Sequence, residues 1–159
     1  STVDPFSFKY NKYLFQLSFE NNCLFKNFDS VSVLNLYYIQ MLILKLNLIV
    51  ELRRENFKYL KFSPIFTSLD LSFNLISFIE HDTFRDLANL HNLDLSNNFI
   101  VNFDVNIFNS FKIIKYLSLS NNPHIKLINK TFEFYLENIF FKNELKILRF
   151  QNSSNDVLD

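Results

Sequence analysis

Residues 93–100 read LDLSNNFI, and two other stretches nearly repeat them: LDLSFNLI at 69–76 and LSLSNNPH at 117–124. The three copies are spaced 24 residues apart, and each carries Asn at its sixth place: Asn74, Asn98 and Asn122. A recurrent asparagine is an active-site amide, a sugar attachment point or a structural strut. The surrounding pattern decides among these.

With Asn98 as anchor, Leu90, Leu93 and Leu95 precede it, and Ile100, Phe103, Phe108 and Phe111 follow. The same offsets from Asn74 give Phe66, Leu69, Leu71, Ile76, Ile79, Phe84 and Leu87. Asn47 gives Ile39, Leu42, Leu44, Ile49, Leu52, Phe57 and Leu60. Asn122 gives Ile114, Leu117 and Leu119; His124 then breaks the apolar rule, and Ile125 is expected to fill its slot if the turn at Pro123 shifts the backbone by one. Asn22 gives Leu14, Leu17, Phe19 and Leu24, and one inserted residue brings Phe28, Val33 and Leu36 into place. Downstream, Leu145, Leu148 and Phe150 fit, but Ser153 stands where the asparagine belongs.

Within each unit the segment x-L-x-L-x alternates with period two, as a strand with one buried face does. Repetition of a supersecondary unit every 20–50 residues stacks such strands side by side into a parallel sheet, while the remainder of each unit returns over the other side. The expected fold is an α/β repeat solenoid. Its parallel sheet lines the concave face, and irregular or short helical turns form the convex side. Each fully buried Leu or Phe in the interior contributes about 1.5–3 kcal/mol. The asparagine then sits where the chain turns inward after the strand, and its carboxamide supplies donors and an acceptor to backbone groups that water cannot reach. Asn22, Asn47, Asn74, Asn98 and Asn122 are expected to form a ladder of struts. Phe57, Phe84, Phe108 and Phe132 recur at one offset and are expected to stack as a column.

The boundaries that follow are a tail of a preceding repeat or an N-terminal edge at 1–13, and five units at 14–38, 39–65, 66–89, 90–113 and 114–144. A sixth, irregular unit begins within 145–159. The start within a unit and the missing initiator Met suggest a piece of something longer.

The pattern L-x-x-L-x-L-x-x-N-x-L/I resembles the leucine-rich repeat. The 24-residue unit with Phe84, Leu87 and Leu90, and again Phe108, Phe111 and Ile114, resembles the typical subclass found in ectodomains of Toll-like receptors, chaoptin-like adhesion proteins and Slit-like guidance proteins. That resemblance implies a ligand-binding segment of a cell-surface receptor or a secreted protein, in innate immune recognition or adhesion, with receptor pairing as one mode of action. Extracellular members close their ends with cysteine-rich caps, and Cys23 alone cannot do so. Either the caps lie outside this piece, or the protein is a cytoplasmic scaffold or adaptor; a purely structural solenoid segment is the third reading.

Composition narrows the field. The 16 Lys and Arg balance the 16 Asp and Glu, which removes the electrostatic case for nucleic acid. The longest apolar run, 41–50, is too short to insert in a membrane. There is no Gly, so a phosphate-binding glycine loop is ruled out, and every left-handed backbone position falls to another residue, Asn best of all. His81, His91 and His124 occupy different places in their units, and no His/Cys spacing suits a metal. Neither catalysis nor a cofactor is expected.

Function on such a scaffold belongs to the strand residues that point out of the concave sheet. Met41, Ile43 and Tyr116 are apolar where water is expected, as partner-binding anchors or as harmless exposed hydrophobes. Asp70 and Asp94 stand at equal height in adjacent strands, either to grip a basic ligand or simply as soluble strand residues. Lys45 and Arg149 add cations to the same candidate surface for a protein or other macromolecular ligand. Asn129-Lys130-Thr131 and Asn152-Ser153-Ser154 are glycosylation sequons, with Asn129 expected on the convex side and Asn152 near the concave rim.

Overall fold

A computed structural model describes residue 4, residues 7–23, 28–104, 106–107 and 111–125, and the backbone of 147–149. Six strands of three residues each, β1 (Gln16–Ser18), β2 (Met41–Ile43), β4 (Ser68–Asp70), β6 (Asn92–Asp94), β7 (Tyr116–Ser118) and β8 (Ile147–Arg149), form one parallel sheet in the order β1-β2-β4-β6-β7-β8. Register follows the repeat: Leu17, Leu42, Leu69, Leu93, Leu117 and Leu148 align across it. Backbone bonds continue past the strands, with the Leu44, Leu71 and Leu95 amides donating to the carbonyls of Asp70, Asp94 and Ser118 at 2.8, 2.8 and 2.9 Å.

The convex return is made of 3-10 turns at Ser30–Val33, Arg54–Asn56 and Lys58–Phe62. Asn106 and Ile107 are likewise in a 3-10 turn. Asp29 caps the first, its Oδ1 accepting from the Val31 amide at 2.9 Å. A second, two-stranded ladder, β3 (Glu51–Leu52) with β5 (Phe78–Ile79), runs parallel behind the main sheet; the repeat pattern gave no sign of it.

Between the two layers lies one continuous apolar core. The offsets predict most of it. Leu42, Leu69, Leu93 and Leu117 are buried, as are Phe28, Val33 and Leu36 after the inserted residue. His124 is exposed and Ile125 is buried in its stead. The aromatic column departs from the expected offset. Phe57 and Phe84 stack with ring centroids 5.9 Å apart, but their outer neighbours are Phe28 at 6.2 Å and Phe111 at 5.7 Å. Phe108 and Phe132 lie outside the described residues. Phe111 lies three residues beyond the offset that Phe57 and Phe84 share, although the units of Asn74 and Asn98 are equal in length.

The asparagines occupy the inner bends. Asn74 Nδ2 donates to Leu71 and Ser72 carbonyls of its own unit, at 3.0 and 3.2 Å, and to Leu44 of the preceding unit at 3.0 Å. Its Oδ1 accepts from the Ile49 amide, also of the preceding unit, at 3.2 Å. Asn98 repeats the set with Leu95, Ser96, Leu71 and Ile76, and Asn122 with Leu119, Ser120, Leu95 and Ile100. Asn47 makes the three donor contacts, to Leu44, Lys45 and Phe19; Leu24, the counterpart of Ile49, lies outside the described residues. Asn22, at the sheet edge, is only half-buried and bonds to Phe19 and Glu20 of its own turn.

Each bend requires a left-handed residue immediately before the asparagine. Asn21, Asn97 and Asn121 adopt it at φ of 60°, 56° and 55°, the residue type that tolerates it best after Gly. Leu46 and Phe73 adopt it as well, at φ of 56° and 55°, which costs about 1–2 kcal/mol for a side chain of that kind.

Candidate functional site

The residues flanking each buried strand leucine form two rows on the concave face. In one row Met41, Ser68, Asn92 and Tyr116 are successive partners; in the other Ile43, Asp70, Asp94 and Ser118. Met41, Ile43, Asp70, Asp94 and Tyr116, with Ser68, Leu69 and Asn92, line a shallow depression of about 140 Å³. Five of the seven residues expected on the binding surface therefore meet at one place. Met41, Ile43 and Tyr116 are half-buried in its walls.

The carboxylates are partly committed to the fold. Asp70 Oδ1 accepts from the Ser72 amide at 2.9 Å and the Ser72 hydroxyl at 2.7 Å, and Asp94 Oδ1 accepts from the Ser96 amide at 2.9 Å. These bonds close the turn that leaves each strand, so the aspartates have a structural role that their spacing alone did not disclose. In both residues Oδ2 has no hydrogen bond among the described residues. Like charges facing each other on adjacent strands repel. A cationic group between the two would relieve that repulsion.

Lys45 lies apart from the depression: its Nζ is 3.6 Å from Glu20 and 5.5 Å from the centroid of the Phe73 ring. Arg149 aligns with Ser118 through the backbone of β8, and its side chain lies outside the described residues, as do Asn129 and Asn152. Ser68 and Asn92, two further strand positions expected to point out of the concave sheet, also line the depression, and they bond to each other at 2.8 Å between Asn92 Nδ2 and Ser68 Oγ. The register of the repeat is the signal that finds them, since they share a row with Met41 and Tyr116. Several small residues expected to face water on the sheet are instead buried: Ser68, Ser72, Ser96 and Ser118. A hydroxymethyl group is too short to rise above its larger neighbours on a curved sheet.

Among the described residues there is no group of three or more His, Cys, Asp and Glu able to hold a metal ion, and no helix is long and apolar enough to cross a membrane. His81 pairs with Asp82 at 3.3 Å in an exposed turn on the convex return.

A search of curated proteins returns no match to this chain. Residues 37–98 and 64–123 each match the leucine rich repeat family, and together they span more than half of the sequence. They take in β2 through β7, four buried rungs of the asparagine ladder and the whole lining of the concave depression. The chain belongs to the leucine rich repeat family.

Proposed function

We propose that this chain is a ligand-binding segment of a cell-surface receptor or adhesion ectodomain, acting in innate immune recognition or cell adhesion. Leucine-rich repeat domains are in general non-enzymatic modules that bind other proteins. The observation that carries the reading is the concave depression, where Met41, Ile43 and Tyr116 surround the Asp70–Asp94 pair. Apolar walls give a partner side chain a place to leave water, and the two carboxylates select for positive charge. The partner suited to this surface is a protein that offers an arginine or lysine, its aliphatic stem against Met41, Ile43 and Tyr116. Binding requires no rearrangement of a rigid sheet, so recognition is by preformed shape.

The test is capture of surface proteins by chemical cross-linking to the chain, set beside a Met41→Gln, Ile43→Thr, Tyr116→Ser variant. The reading expects a partner captured by the parent chain and lost from the variant while circular dichroism stays unchanged. Equal capture by both would place recognition on another face; no specific partner for either would favour a structural segment. A cytoplasmic adaptor is the second reading, favoured by the exposed free thiol of Cys23. Glycan attached at Asn129 during passage through a secretory pathway, and absent from Asn129→Gln, supports the ectodomain; an unmodified Asn129 supports the adaptor.

A further inference from the structure

On the flank where the chain enters the strands, backbone bonds hold five units in register. The amides of Gln40, Thr67, His91 and Lys115 donate to the carbonyls of Phe15, Gln40, Thr67 and His91 at 2.8, 2.9, 2.8 and 2.8 Å. Large apolar side chains stand exposed along it: Tyr13 and Phe15 before β1, Tyr38 before β2, Phe62 and Ile65 before β4, and Ile113 before β7. Tyr13 and Tyr38 meet across two units, with ring centroids 5.5 Å apart. At a strand spacing of about 4.8 Å, the row from β1 to β7 is roughly 19 Å long.

The chain is neutral as a whole, but this flank is not. The segments that build it, 7–15, 36–40, 60–67, 87–91 and 111–115, contain five lysines and no Asp or Glu. The ion pairs among the described residues involve other cations, so Lys9, Lys12, Lys61, Lys112 and Lys115 have no carboxylate at ion-pair distance there. Asp86 is held ionised by its hydrogen bond from Arg54, at 2.8 Å, with Lys61 adding only from further off. Three of the five lysines lie over rings instead: Lys9 is 5.5 Å from the centroid of Tyr10, Lys12 5.0 Å from that of Tyr13, and Lys61 5.4 Å from that of Phe62. Positive charge and apolar bulk therefore share one surface.

We propose that this flank adsorbs to an anionic lipid surface. A soluble polyanion matches the lysines but leaves Phe15, Phe62, Ile65 and Ile113 in water. A neutral protein covers those side chains but leaves the ammonium groups without counter-charge. A bilayer with acidic headgroups takes both, because hydrocarbon lies directly beneath its layer of negative charge. Tyr and Lys suit that boundary, each having an apolar body and a polar tip. Each lysine brought to such a surface strengthens binding about fivefold, and salt screens the attraction. Adsorption needs no spanning segment. The flank shares no residue with the concave depression, so this inference stands or falls apart from the proposed ligand site.

Co-sedimentation of the 159-residue chain with sucrose-loaded vesicles tests it. The vesicles are phosphatidylcholine alone, or phosphatidylcholine with about one-third phosphatidylserine. The chain is expected to bind the mixed vesicles half-maximally at about 0.1–1 mM lipid, to bind the neutral ones about tenfold more weakly, and to leave both in about 0.5 M salt. The Lys9→Gln, Lys12→Gln variant and the Tyr13→Ser, Tyr38→Ser variant are each expected to bind about tenfold more weakly than the parent. Tyr13 and Tyr38 are 72% and 50% exposed, so circular dichroism is expected to stay unchanged. Leu48→Asn with Leu75→Asn, on the other flank, is expected to bind as the parent does. No binding to the mixed vesicles, or equal binding to both kinds, overturns the proposal. So do lysine or tyrosine variants within about threefold of the parent, or a Leu48, Leu75 variant weakened as much as they are. A chain that ignores vesicles but is retained by an immobilised acidic peptide or sulfated polysaccharide also overturns it, and assigns the flank to a soluble polyanion.

Discussion

Replacing Asn98 by Ala tests the ladder at a buried, fully bonded rung with a bonded neighbour on each side. The carboxamide makes four contacts: Nδ2 to the carbonyls of Leu71, Leu95 and Ser96 at 3.1, 3.0 and 3.1 Å, and Oδ1 from the Ile76 amide at 3.0 Å. Their loss is unequal. Leu71 O keeps the donor from Asn74, Leu95 O keeps Asn122, and Ser96 O keeps the Phe73 amide. Only the Ile76 amide is stripped of its partner, in a residue with no exposed surface. An orphaned buried donor costs about 1–3 kcal/mol, and each weakened carbonyl adds some tenths, giving about 2–4 kcal/mol in all. Asn22→Ala removes two contacts at a half-exposed edge where water replaces them, so its cost is below about 1 kcal/mol. Urea unfolding followed by circular dichroism separates the two. With a slope of about 2 kcal/mol per molar, Asn98→Ala moves the midpoint down by about 1–2 M and Asn22→Ala by less than about 0.5 M. Asn98→Asp keeps an acceptor for Ile76 but sets an oxygen against three carbonyls, and is expected to be worse than Ala at neutral pH. Equal midpoint shifts for Asn98→Ala and Asn22→Ala would refute the view that these amides brace the bends.

Three other outcomes are expected. Leu46→Asn raises stability by about 0.5–1 kcal/mol, because Asn accepts the left-handed backbone and little burial is lost; Phe73→Asn gains less, since it forfeits the Lys45 contact with the ring. Paired measurements of midpoint in urea check both, and a loss of stability for Leu46→Asn would contradict the strain assigned there. On the convex side the hydrogen bonds from Arg54, 2.8 Å to Asp86 Oδ2, hold the Asp86 carboxyl below its usual range. The folded pKa is depressed, so the stabilisation is present above the unfolded value of about 4 and fades as pH falls below it. Asp86→Asn therefore costs about 0.5–1 kcal/mol at pH 7 and less at about pH 2, read from thermal melts at the two pH values. The Met41→Gln, Ile43→Thr, Tyr116→Ser variant leaves the unfolding midpoint within about 1 kcal/mol of the parent, because these side chains sit on the sheet surface and not in the core.

What the sequence disclosed follows from what repeats at a fixed offset. Strand leucines, ladder asparagines and the grid of concave positions recur with the unit, so one well-read copy locates the others; Met41, Ile43 and Tyr116 stood out against that grid as apolar where polar was expected. The column of rings followed its offset in part: Phe57 and Phe84 stack as expected, but Phe28 and Phe111, at other offsets, flank them. The burial of Ser72, Ser96 and Ser118 depends on the height of neighbouring side chains, which no periodicity records. The strain at Leu46 and Phe73 was half-visible: both occupy the place that Asn97 and Asn121 hold in sister units, but only the backbone angle shows that the place is left-handed. The second use of Asp70 and Asp94, closing their own turns, depends on serines two residues on, a spacing too ordinary to single out.

The ladder gives the array a direction of growth. Asn74, Asn98 and Asn122 each reach back to the unit before them, and the units of Asn74 and Asn98 leave a carbonyl for the unit after. A duplicated block of two dozen residues thus arrives with its own clasp and meets the acceptors it needs, without any new chemistry at the seam. A single inserted residue within a strand has no such welcome, since it turns the leucine outward and the clasp aside. Lineages carrying this architecture are free to lengthen or shorten by whole modules, whereas their strands and inner bends tolerate almost no change in length.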